Sequence, residues 1–490
     1  MVSQPGWRWL PAAGWLSLAG CAAAVIVLPA GWLSIALAGV ATIGLAADRR
    51  LGWLPAALLV TITLPYGRGA DVAPLLVAGL PLRPQDVAIG LGLLVTALTL
   101  DGSRIRAVVA APGGQRTLLV AVALFLAVGL LALALGLLGN QQLRDVFRDV
   151  RWWTLYGAAG LAVLAGVRRV SLLRALLLGA AAFAVVVAFT ALLPAFEGGL
   201  KAAAVSYDRG TMRLQYGNSI YLLPALAYAA WVASRRFDLV WLGLVFGLFG
   251  AQVLSLTRTS VLISAGVVLA ILVWRLVSWR PRRVDRRLLV AGASVLVALA
   301  VGFFGALTAT GVGTPRTAAE AGAPPAIWNP EDPFARLTFV DTQSDLNVIV
   351  SGGRFRTYLN ALREITPRPL LGGGMGQLAD VAFAYNLDRT TTIGRQPGVD
   401  NAALTVAMKA GAVGVAAAGA LLLLPLLAAL RPLRRHLRGW FIPAWLGVLA
   451  LTVSQSFAVT GYGPYGIGLL LALPFLGYAA SSTAAARAQR

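Results

Sequence analysis

Apolar runs of roughly 17 to 25 residues, each long enough to cross a hydrocarbon layer as a helix, recur from one end of the chain to the other. Backbone inside lipid has to satisfy its own polar groups, so repeated runs of this length leave a bundle of helices as the architecture. The spans read from the sequence are 11–28, 31–46, 51–66, 86–100, 117–138, 152–167, 170–194, 217–234, 238–256, 259–279, 288–310, 401–430, 440–457 and 462–479. The fold class is therefore an all-α polytopic membrane protein with about 12 to 14 transmembrane helices. Composition agrees, with 58% of residues hydrophobic, 12% charged and a mean hydropathy of +0.78. Three regions follow: transmembrane helices in 1–310, a large extracytoplasmic loop in 311–400, and C-terminal transmembrane helices in 401–490.

The net charge of +22 suggests nucleic acid until the charges are placed on this map. The basic clusters Arg49/Arg50, Arg104/Arg106/Arg116, Arg168/Arg169/Arg174, Arg235/Arg236, Arg280 to Arg287 and Arg431 to Arg438 all fall in alternate connections. With Arg8, Arg275, Arg487 and Arg490 they put 23 of the 41 basic residues, but only Asp48, Asp101, Asp238 and Asp285 of the 19 acidic ones, on one face. By the positive-inside rule that face is cytoplasmic and both termini lie on it. Topology accounts for the excess, so membrane lipids and not nucleic acid are the expected partners. The first apolar run reads as the first span rather than as a signal peptide. The lone Cys21 lies in that run and the only histidine, His436, in a basic inner connection, so no metal site is expected.

Chemistry is expected on the outer face, above all in Ser351 to Gly376, SGGRFRTYLNALREITPRPLLGGGMG. From Arg354 to Ile365 the apolar residues Phe355, Tyr358, Leu359, Leu362 and Ile365 recur at helical spacing, while Arg356, Asn360 and Arg363 line a second face. Pro367 and Pro369 end this helix, and Gly372, Gly373, Gly374 and Gly376 follow, where backbone amides can approach a phosphate. An amphipathic surface helix followed by a plain turn fits the same residue types equally well. A second outer segment, Leu143 to Arg151, sets Leu143, Val146, Phe147 and Val150 against Arg144, Asp145, Arg148 and Asp149, and reads as an interfacial helix with ion pairs along its polar face.

Arg258, in LSLTRTS, sits between two apolar runs with almost no room for a connection. An arginine near the membrane is costly, roughly 2.5 to 3.5 kcal/mol at mid-depth on translocon scales, so it is expected to face a wet cavity or a partner. Arg213, in TMRLQYGNS, precedes another span on the same face. For both, snorkelling to the interface is the structural alternative. Asp400 and Asn401 open the helix in GVDNAALTVAMKAGAVG, where either an N-cap or a catalytic role suits them. The pairs Gly411/Gly414 and Gly243/Gly247 read as close helix contacts.

These elements in this order, TRTS at the foot of a span, a long outer loop, GGRFRTYLNALREITPRPLLGGGMGQ and then DNAALTVAMKAGAVG, resemble the bacterial O-antigen ligase and polymerase superfamily. LRPQDVAIG, ahead of the fourth span, is a less specific likeness. The resemblance implies a GT-C-like fold in the bacterial inner membrane, with an active site on its outer face. It implies an undecaprenyl-pyrophosphate-linked glycan as donor, a glycan or lipid acceptor, no nucleotide sugar, no metal and no cofactor, with a chain-length regulator as a further partner. Carried over, Arg258, Arg213, Arg354 and Arg356 would hold the pyrophosphate, Asn401 would position the acceptor, and Gly373, Gly374 and Gly376 would border the substrate. Family members commonly have a histidine just before the Asn of the DNAA motif as acceptor-activating base, where this chain has Asp400, a carboxylate of ordinary pKa about 3.9. That departure, with the number of spans, favours a polymerase over a ligase acting on lipid A-core. A lipid-linked glycan transporter is the alternative from another class, and would be expected to carry internal repeats.

Overall fold

The computed structural model describes residues 9–27, 31–48, 50–64, 75–77, 80–110, 113–192, 205–208, 211–214, 218–235, 238–254, 258–278, 290, 292–301, 354–384, 391–396, 398–399, 401–430, 435–455 and 467–476. The N-terminal part contains α1 (Leu10–Val27), α2 (Gly31–Ala46), α3 (Trp53–Thr63), α4 (Pro84–Leu98), α5 (Gly102–Ala110), α6 (Gly114–Leu138), α7 (Leu143–Leu155), α8 (Ala158–Leu164) and α9 (Arg169–Leu192). Then come α10 (Ser219–Ala233), α11 (Leu239–Leu254), α12 (Arg258–Ser278), α13 (Arg354–Ile365), α14 (Ala402–Ala429), α15 (Arg435–Gln455) and α16 (Ile467–Ala472). Among the described residues, Gly114–Leu138, Arg169–Ala188 and Ala402–Ala429 are each long and apolar enough to cross a membrane, and shorter apolar helices of 10–17 residues accompany them. The chain is thus an all-α polytopic membrane protein in class. α4 and α5 meet at 91°, so the basic α5 lies across the direction of the apolar helix before it.

Among the described residues three antiparallel hairpins, none anticipated from the sequence, join the helices: β1 (Leu75–Val77) with β2 (Leu80–Leu82), β3 (Val205–Asp208) with β4 (Thr211–Leu214), and β5 (Ala379–Ala384) with β6 (Thr391–Gln396). The span expected at 152–167 is also divided differently, between α7 and α8. Trp152 and Trp153 belong to the amphipathic α7 because Trp153 docks on α6. Its ring stacks on Phe125 at 4.6 Å, its Nε1 donates to the Phe125 carbonyl at 2.8 Å, and the bare Cα of Gly129 makes room for it.

α3 is the centre of the N-terminal half, buried from Leu54 to Thr63 against α2, α4 and α9. A helix leaves its last carbonyls without intrahelical partners, and burial there requires donors from elsewhere. Asn218 supplies them, its Nδ2 donating to the carbonyls of Thr61, Ile62 and Leu64 at 3.0, 2.8 and 2.6 Å, with Gln85 Nε2 on Leu64 at 2.9 Å. In the C-terminal half α10 packs with α11, α12 and α15, and α14 packs along α6. Over residues 412–429, α14 is long enough to span about 27 Å, close to the hydrocarbon thickness of about 30 Å. Residues 402–410 are surplus to one span, and the helix breaks between the two parts.

Candidate functional site

The break has a specific cause. In an unbroken helix the amide of Ala412 would bond the carbonyl of Met408, and that of Val413 the carbonyl of Lys409. Instead the turn after α13 is inserted between them. Ala412 N donates to Pro369 O at 2.8 Å and Val413 N to Leu370 O at 3.2 Å, while Gly373 N donates to Met408 O at 2.7 Å and Gly374 N to Lys409 O at 3.1 Å. Two intrahelical bonds are replaced by four bonds to the turn, so each of these two amides and two carbonyls keeps a partner. Gly411 takes φ 61° and ψ −161° there, and a Cβ on it would fall on the Leu370 carbonyl. Gly374, at φ 92°, would likewise strike the Gly136 backbone of α6. The glycines of the turn and those of α6 and α14 therefore serve one junction of three chain segments.

The amides of the turn are all engaged: besides Gly373 and Gly374, Met375 N donates to Ala132 O and Gly376 N to Asp149 Oδ2, each at 2.8 Å. Gly372 to Gly376 are buried. The phosphate expected at these amides thus meets donors that the protein itself already uses. Lys409, 1% exposed, pairs with Asp149 Oδ2 and reaches the Gln377 carbonyl at 3.5 Å. α7 is consequently turned so that Val146, Asp145 and Asp149 face inward, while Leu143 and Phe147 of its apolar set are exposed. Its expected ion pairing is present as Arg148 to Asp145 at 2.8 Å, and Arg151 joins Asp86 of α4 at 3.1 Å. Asp86 also caps its own helix by accepting from the Arg83 amide at 2.8 Å, which ties the LRPQD motif to α7.

α13 runs over Arg354–Ile365, the bounds its periodicity predicts. It is fixed to the head of α14 by a small apolar cluster of Ala361, Ala379, Val399 and Met408, with Ile365 and Leu404 packed against it. Asn360 Nδ2 donates to Asp380 O at 3.1 Å and Gln377 Nε2 to Glu364 at 2.6 Å, which ties α13 to β5 and to the end of the turn. Asn401 is the N-cap of α14, with its Oδ1 accepting from Leu404 N at 3.1 Å, and Thr405 Oγ1 closes the same corner on Val399.

Helix directions place the remaining candidates. Short connections make α10, α11 and α12 alternate, so the starts of α10 and α12 lie at one end. α15 runs against both, because a Cβ on Gly439 would meet Trp231 and Trp274 near their ends, while one on Gly447 would meet Leu223 and Ile263 near their beginnings. A five-residue connection and the bond from Trp445 Nε1 to Leu422 O at 2.8 Å set α14 antiparallel to α15. The head of α14 therefore shares an end of the bundle with Arg258, the first residue of α12, and with the hairpin in which Arg213 pairs with Ser206 ahead of α10. Arg354 and Arg356 lie in the first turn of α13. The side chains of Arg213, Arg258, Arg354 and Arg356, and all of Asp400, lie outside the described residues.

Sequence reasoning set Asp149 among ion pairs along its own helix and missed Lys409 as its partner, although a lysine inside an apolar run is as costly as Arg258 and implies a partner in the same way. The glycine pairs divide, since Gly411 is at a close contact but Gly243 and Gly247 face open space.

A search of curated proteins finds no significant match to the chain. A family model described as O-antigen ligase matches residues 242–419. That span runs from α11 into α14 and contains Arg258, α13, the inserted turn and the broken helix, so the comparison supports the O-antigen ligase and polymerase superfamily on the residues that carry the resemblance.

Proposed function

We propose that this chain is an inverting glycosyltransferase of the bacterial inner membrane. It takes an undecaprenyl-pyrophosphate-linked oligosaccharide as donor on the outer face and adds it to a second lipid-linked repeat, polymerising O-antigen or exopolysaccharide. What supports this reading is that Arg258 opens α12, the Arg213 hairpin precedes α10 and Asn401 caps α14 at one end of the helix bundle, where α13 packs on the head of α14, and that Arg258, α13 and Asn401 lie inside the matched span. A pyrophosphate leaving group needs its developing charge neutralised, and guanidinium forks do so with two donors each. In this reading Arg258, Arg213, Arg354 and Arg356 hold the pyrophosphate. Asp400 takes or orients the proton of the acceptor hydroxyl while that oxygen attacks the anomeric carbon and the lipid pyrophosphate departs. Asn401 fixes the head of the helix beside the acceptor. Gly373, Gly374 and Gly376, their amides spent within the protein, contribute the shape of the floor.

The matched family's description favours a second reading, ligation of the glycan to lipid A-core. Purified protein given a lipid-linked glycan, with and without lipid A-core, separates the two. Longer glycans support polymerisation, and product on lipid A-core supports ligation. Movement of the donor across vesicles with no new covalent product would replace both with transport. Arg258→Ala and Arg356→Ala should each lower turnover roughly 30- to 1000-fold, from about 2 to 4 kcal/mol of lost transition-state stabilisation, in protein that still inserts and purifies. Near-normal turnover by both would remove them from the site.

A further inference from the structure

We propose that Asp149 and Lys409 form a positioning clamp that sets the first part of α14, and with it the site at the helix head, at its working depth and angle. This rests on the transfer reaction proposed above. A helix interrupted at Gly411 has nothing in its own ladder to fix the angle between its two parts. Lys409 lies two residues before Gly411, its carbonyl accepts from Gly374, and its side chain is paired with Asp149. The same Asp149 Oδ2 accepts from Gly376 N. One carboxylate of α7 thus holds both the upper part of α14 and the turn inserted beneath it. Arg148 and Arg151, its neighbours on α7, are paired with Asp145 and Asp86. Asp149 and Lys409 are 2% and 1% exposed and sit two helical turns from Asn401, so they act through the helix and not by touching the reacting atoms.

Removing one member of a buried pair leaves an unpaired charge, whereas replacing both by uncharged groups of similar size is tolerated far better. In purified protein, Asp149→Asn and Lys409→Met alone should each lower kcat on the order of 100-fold, the scale of a misplacement of about 1 Å, with donor KM nearly unchanged. The double variant Asp149→Asn/Lys409→Met leaves no charge unpaired and keeps an oxygen for the Gly376 amide, so it should recover most of the rate. Asp149→Leu/Lys409→Met has no charge either but offers that amide no acceptor, and should stay slow. Wild-type kcat in the single variants, a loss confined to KM, or equal rates in the two double variants would overturn the clamp. If the wild-type protein transfers nothing, the proposed reaction is what fails, and amide exchange over residues 372–377 still decides the clamp. Faster exchange in the single variants with protection regained in the Asn/Met pair supports it, and unchanged exchange overturns it.

Discussion

Gly411 holds a backbone conformation in which a side chain is strained by about 1 to 3 kcal/mol, and the Leu370 carbonyl occupies the place its Cβ would take. Gly411→Ala and Gly374→Ala should therefore lower the thermal stability of the purified protein by more than about 2 kcal/mol equivalent. Gly243→Ala, on an open face of α11, should be neutral or slightly stabilising, since alanine is favoured over glycine in a helix by about 1 kcal/mol. Equal melting points for Gly411→Ala and Gly243→Ala would discard the inserted-turn explanation of the break. Asp400→Asn tests a different residue in the opposite way. As a base, Asp400 cannot be replaced by an amide, and turnover should vanish with donor binding retained; as a mere cap, Asn serves equally well and the change should be silent. Arg258 was legible as a candidate because its cost is visible in its own neighbourhood. Lys409 carries a similar cost, but its partner is 260 residues away, and pairing at that distance leaves no local trace in the sequence.

At the scale of elements, periodicity predicted what periodicity controls. α13 has the expected bounds, and most apolar runs became helices within a few residues of their expected ends. Two of the hairpins were missed because strands such as Leu75–Val77 and Thr211–Leu214 are only three or four residues long, too short for alternation to register, and β5 and β6, six residues each, show no alternation of apolar and polar residues. The rotation of α7 was also hidden: its apolar face suits the membrane surface, but the ionic needs of Lys409 and the Gly376 amide turn its acidic face inward. The polar joint between α3 and α10 belongs to this scale too. Asn218→Ala would strip the donor from the Thr61 and Ile62 carbonyls and leave that of Leu64 to Gln85 alone, and should cost about 1 to 3 kcal/mol or more in thermal unfolding. Stability within about 0.5 kcal/mol of wild type would mean that water reaches the end of α3.

For the molecule as a whole, the charge partition predicts which end faces the cytoplasm, and the native thiol makes this simple to measure. Cys21 is fully buried and bonded to the Ser34 carbonyl at 3.0 Å, so it should not react with bulky reagents. Arg144→Cys, at the exposed start of α7, should be labelled in spheroplasts by an impermeant maleimide. Arg106→Cys, on α5, should be labelled only after the membrane is opened. The reverse pattern would invert the topology and move the candidate site to the wrong side for the proposed donor. The helix that holds a foreign turn in its ladder also implies an order of synthesis. Residues 369–374 leave the ribosome before 402–413, so the wedge is in place when the helix forms around it. A helix completed first would have to give up two bonds to admit the turn. Fragments 1–399 and 400–490 made separately and brought together late should therefore meet a straight helix of about 42 Å, and recover transfer activity poorly even when both pieces reach the membrane.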